Sequence, residues 1–94
     1  MFERVLQRMR GKIRTRQYVM TVHAWEEMEN DGLSILDVES AILSGRIVER
    51  QTDRPWGERK YLIQGRPLEG DDTVVVAAKI GPNGDIVILT VYTE

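Results

Sequence analysis

The segment Tyr18 to Gly45, YVMTVHAWEEMENDGLSILDVESAILSG, holds the chain's single histidine and two helices with punctuated ends. Thr21 is a capping residue type placed just before Val22, so a helix starts there. Ala24, Trp25 and Met28 are read as its core-facing side, with Glu26, Glu27 and Glu29 toward water. Asn30, Asp31 and Gly32 stop it. Glycine takes the left-handed position past a helix end, and Leu33 supplies the apolar contact that accompanies such a stop. Ser34 with Asp37 three residues on has the form of a capping box. Ile35, Val38, Ala41 and Ile42 give the second helix its buried stripe, and Gly45 ends it.

Upstream, Phe2, Val5, Leu6, Met9 and Ile13 recur at helical spacing, so residues 2–13 are expected to form an amphipathic helix packed on a sheet. Arg4, Arg8 and Lys12 run along a neighbouring face, and Gly11 weakens the last turn. Residues 14–20 read as a connector leading into a short extended piece. Downstream of Arg46 the period becomes two. Strands are expected at Ile47–Gln51, Arg59–Gln64, Thr73–Ile80 and Asp85–Tyr92, with a turn over residues 53–57 that carries Trp56 at its tip. TVVVAAKI reads as a central strand. Gly81, Pro82, Asn83 and Gly84 form a hairpin turn. The expected fold is α+β: helices on one face of a four-stranded antiparallel meander, within one domain spanning residues 1–94. That domain divides into a basic helix and connector (1–17), a helical pair (18–45) and the sheet (46–94).

Ninety-four residues with 41% apolar and 30% charged side chains suit one modest core. The absence of cysteine excludes disulfides and thiolate metal sites. No signal-peptide pattern and no membrane span is read, so a cytoplasmic protein that does not enter membranes is expected. The net charge of −2 conceals an asymmetry. Residues 1–17 hold six basic side chains and one acid, and residues 18–94 hold seven basic and fourteen acidic ones. The basic segment either contacts phosphate or an acidic partner, or folds back on its own acidic body.

Five groups of residues match a known pattern: Thr21, His23, Ala24 and Met28; Asp31 through Gly45; Ile47 through Arg50; Lys60 through Gly65; and Thr90 through Tyr92. Together they resemble the family called Domain of Unknown Function 4258, from about Tyr18 to the C-terminus. That family is in turn similar, at the level of fold, to small toxins of the RelE and BrnT kind, within a group of metal-independent ribonucleases that includes barnase. The resemblance implies a RelE-like or barnase-like fold and cleavage of single-stranded RNA by acid–base chemistry, without cofactor or metal. It also implies a small antitoxin-like partner.

On that reading His23 is the proton-transfer group, with Lys60 and Tyr92 as further catalytic residues and Arg50, Arg59 and Thr90 as substrate contacts. Each also has a structural reading. His23 can tie helix to sheet, the cations can pair with Glu49 and Glu58, and Tyr92 can lie half-buried at a strand end. Lys79 within an apolar strand needs a bound anion, a carboxylate or a strand end in water. Trp56 can stack on a base or be an ordinary turn aromatic. The rival function is a non-catalytic interaction domain that binds a partner or a second copy. A third is a nucleic-acid binder that does not cleave.

Overall fold

Alternation of apolar and polar side chains from residue 46 onward builds most of the sheet, and the computed structural model describes residues 1–53 and 57–94. Helix α1 spans Glu3–Arg14, strand β1 Tyr18–Met20, α2 Val22–Asn30 and α3 Ile35–Ser44. Strands β2 (Arg46–Asp53), β3 (Glu58–Gly65), β4 (Val74–Ile80) and β5 (Ile86–Thr93) follow. The expected turn over residues 53–57, with Arg54 and Trp56, lies largely outside the described residues.

The sheet has five strands in the order β1-β5-β4-β3-β2, not four. β2 through β5 make the expected antiparallel meander, but β1 adds a parallel strand beside β5, pairing Tyr18 with Ile86 and Met20 with Ile88. The short extended piece at residues 18–20 is therefore a sheet edge. It becomes one because α1 ends in a tight reversal: the Gln17 amide bonds the Lys12 carbonyl at 2.8 Å and Arg16 takes a left-handed φ of 57°.

All three helices bury their apolar stripes on one sheet face. Met9 and Ile13 of α1, Ala24 and Met28 of α2, and Val38, Ala41 and Ile42 of α3 meet Tyr61, Ile63, Val74, Val76, Ala78, Ile86, Ile88 and Val91. Each valine, isoleucine or methionine side chain so taken from water stabilises the fold by about 1.5–3 kcal/mol. Trp25, expected in this core, is instead 46% exposed. The opposite face carries Lys60, Leu62, Val75, Ala77, Lys79, Thr90 and Tyr92 by register; none of these joins the helix-side cluster, although Val75 and Ala77 are buried.

The helix ends follow their punctuation. Thr21 accepts the Ala24 amide, Ser34 and Asp37 form the full capping box, and Gly32 at φ 69° ends α2 with the Leu33 amide on the Met28 carbonyl. Arg10 reaches the last carbonyls of α3, with Nη2 2.7 Å from the Gly45 oxygen, where a cation suits the helix dipole. The free side of β5 is sealed by α2. Beyond β1, Glu27 accepts the Val91 amide at 3.3 Å and Asp31 the Thr93 amide at 2.9 Å. Among the described residues no helix is long and apolar enough to cross a membrane.

Candidate functional site

Two bulges decide where the nominated residues point. An unbroken register from the Ile47–Ile63 pair would place Arg50 opposite Lys60. The register slips near Val48, so Arg50 pairs with Tyr61 and Gln51 with Lys60. Arg50 is thereby turned to the helix side, and Lys60 stays on the opposite face. A second slip, at Leu89, does the reverse for β5. It sets Thr90 opposite Ala77 and Tyr92 opposite Val75, on the face away from the helices. Without it both would point into the core.

The six nominated residues therefore occupy three places. Arg50 and Arg59 lie diagonally on the helix side of the β2–β3 hairpin, since Arg59 pairs with Thr52. The Arg50 guanidinium stacks over Phe2 at 5.8 Å, and the Phe2 ring meets Tyr61 edge-on at 6.0 Å. Arg59 lines a depression of about 440 Å³ with Val5, Arg8, Gly57, Glu58, Tyr61 and Ile80. Lys60, Thr90 and Tyr92 share the helix-free face. There Lys60 is 3.3 Å from Asp53, while Lys79 is 2.9 Å from Glu58, which gives that lysine its carboxylate.

His23 stands apart, in the first turn of α2 beside the β5 edge. It is 69% exposed, with Nε2 3.2 Å from Glu27 Oε1, the oxygen that also accepts the Val91 amide. Glu27 stands four residues on, one helical turn along α2. No hydrogen bond or ion pair among the described residues links it to the other five.

The charge pattern divides by residue type. The ion pairs of the described residues use the N-terminal amine, His23, Lys60 and Lys79, and no arginine. Among the described residues Arg4, Arg8 and Lys12 of the basic α1 stripe meet no carboxylate, while Arg10 is engaged on backbone. The i, i+4, i+8 spacing of that stripe pointed to it. What the spacing could not tell is that Arg8 would face the same depression as Arg59. No cluster of three or more His, Asp or Glu side chains among the described residues has the form of a metal site.

One polar contact lies apart from these charges. Tyr18 donates its hydroxyl to Glu39, tying β1 to α3. Burial first, and then the Glu39 bond, push its phenol up to about 12 from 10. A raised phenol keeps its proton in the folded chain after the unfolded chain has lost it. Stability is therefore unaffected below pH 10 and falls as pH rises from 10 toward 12. In a Tyr61→Phe/Tyr92→Phe chain, phenolate absorbance should rise near pH 12; a rise near 10 would show the phenol free of both influences.

No curated protein and no solved structure matches this chain. The fold-level likeness to RelE-type toxins expected from the sequence is thus not confirmed by any solved structure. A family description, Domain of unknown function (DUF4258), matches residues 20–93, which take in the last residue of β1, α2, α3 and the whole antiparallel meander. By that match the chain belongs to the DUF4258 family.

Proposed function

We propose that this domain binds single-stranded RNA through α1 and the β2–β3 hairpin, without cutting it. The observation that carries this reading is the collection of Arg8, Arg50 and Arg59 on one side of the molecule, with no carboxylate partner among the described residues. Arg8 and Arg59 line one depression, and the only acid among its described lining residues, Glu58, is engaged by Lys79. Guanidinium groups match phosphate oxygens in fork geometry and stay charged at any working pH. The acidic remainder of the chain repels a polyanion elsewhere, which confines it to this side.

Cleavage is the second reading, and the exposed His23–Glu27 pair favours it, since an imidazole oriented by a carboxylate can transfer a proton. Its difficulty is distance. His23 lies beside β5, two strands and about 10 Å of sheet from Arg59 on β3, and Lys60 is on the other face.

Fluorescence anisotropy with a labelled single-stranded RNA, in chelator, separates the two. Binding should weaken with salt at a slope of about −2 in log units for three phosphate contacts. Arg8→Glu/Arg59→Glu should cost at least about tenfold in affinity, while Lys60→Ala/Tyr92→Phe changes little. Affinity indifferent to salt, or to the double charge reversal, removes the proposal. RNA that is cut in chelator, with a tenfold or larger loss in His23→Ala, replaces it by the second reading.

A further inference from the structure

Independently of RNA, the far side of the helical layer carries an apolar strip that no described residue covers. Leu36 and Leu43 stand two turns apart on the outer side of α3, 48% and 36% exposed. Leu68 joins them from the β3–β4 loop. Its exposure is no accident of a loose loop, because its amide is fixed 2.9 Å from Asp37 Oδ1. These three line one depression of about 350 Å³, and Trp25 and Ile35 line a second of about 500 Å³. The Tyr18–Glu39 bond joins the two, with Tyr18 in one lining and Glu39 in the other. The strip so formed follows α3 as a groove.

Its surroundings are mostly acidic, although Arg16 lines the second depression and Arg66 stands two residues before Leu68. From Gln17 to Gly45 the sequence contains six acids and no lysine or arginine. Glu27 and Asp31 are spent on β5 amides, Asp37 on the α3 cap and Glu39 on the Tyr18 hydroxyl, leaving Glu26 and Glu29. Glu69, Asp71 and Asp72 follow Leu68 in the loop. We infer that this strip is the docking groove for an amphipathic helix of a protein partner, apolar on one side and flanked by lysine or arginine. Leucine-type side chains one to two turns apart on such a helix would fill the two depressions, and its cations would meet the acidic rim.

A second copy of this chain does not fit. Two such strips face to face would bring two sets of Glu26, Glu29 and Glu39 into one interface, against a single Arg16 from each copy. The chain's own basic helix already has its apolar side in the core, through Met9 and Ile13. An anionic lipid surface is repelled by the same rim.

The test uses two synthetic peptides of about four helical turns. They share leucine anchors and differ only in lysine or glutamate flanks. With the full chain, the lysine peptide should shift the Trp25 indole and the α3 amide signals in two-dimensional NMR. Leu43→Asp, at an exposed position where the fold survives by circular dichroism, should weaken it at least about tenfold. The glutamate peptide should bind at least about tenfold more weakly. The proposal is overturned if neither peptide moves these signals, or if both bind alike. It is also overturned if the signals move on concentrating the protein alone and Leu43→Asp abolishes that, which would assign the strip to self-association.

Discussion

Gly65→Ala is expected to unfold the domain or to lower its melting temperature by at least about 15 °C. A Cβ at Gly65 would stand 2.0 Å from the Ala41 carbonyl oxygen and 2.7 Å from its carbon. Both are backbone atoms of a buried helix that cannot rotate aside. Relief requires α3 to lift from β3 by more than an ångström, and with it Val38, Ala41 and Ile42, all fully buried. Opening a packed core in this way costs about 4 kcal/mol or more, a large part of the 5–15 kcal/mol that holds a typical domain folded. Gly45, the partner in this approach, is equally confined: its Cβ would fall 2.3 Å from the Gln64 oxygen and 2.4 Å from that of Ala41. Room is what both glycines supply. Gly11 is the internal control. It lies within α1 with nothing within 4 Å of an added Cβ, so Gly11→Ala should stabilise by about 0.5–1 kcal/mol. Thermal melts of the two variants should move in opposite directions. A Gly65→Ala chain that melts like its parent would mean that α3 and β3 are not in backbone contact.

How much of this the sequence could tell depends on the range of each interaction. Capping residues such as Thr21, Ser34 and Asp37 act over three positions, so α2 and α3 were legible to within a residue. TVVVAAKI and the turn at residues 81–84 fixed the last hairpin by local chemistry alone. The fifth strand was hidden for two reasons. Three residues, Tyr18 to Met20, are too few to establish a period. Their partner Ile86 is also far along the chain, and no local rule connects them. Trp25 was misplaced because Ala24 and Trp25 are neighbours on a short helix, and which one turns inward is decided by how α2 lies against β5. In the candidate site, the types of residue were legible and their faces were not. A pattern with period two places Arg50 beside Lys60 and points Thr90 and Tyr92 inward. One inserted residue, near Val48 and again at Leu89, reverses both assignments. That is why a single catalytic hollow could be imagined from the sequence, while the folded chain distributes the same residues over two faces and an edge.

Removing residues 1–13 should leave a chain that no longer folds cooperatively, although the family match begins only at residue 20. The basic N-terminal helix looks like an appendage in sequence, a charged arm on an otherwise complete domain. Its inner side contradicts that. Met9 is fully buried and Ile13 2% exposed, both within the same core as Ala24, Val38 and Val76, and Arg10 satisfies the carbonyls that end α3. Met9→Ala alone should cost about 2–5 kcal/mol through lost burial and the cavity left behind. In a domain of this size that lowers the melting temperature by roughly 10–20 °C. The truncated chain loses Leu6, Met9 and Ile13 together and exposes Tyr61, Ile86 and their neighbours to water, so circular dichroism on heating should show no sharp transition. The functional consequence follows from the same packing. With its apolar side locked in the core, α1 holds Arg8 at a fixed place beside Arg59, so phosphate binding would incur little ordering cost. Should the truncated chain instead melt sharply near the parent temperature, α1 would be a dispensable arm. The arginine cluster would then be a chance of its resting position, and the RNA affinity ought to depend on the length of linker that tethers it.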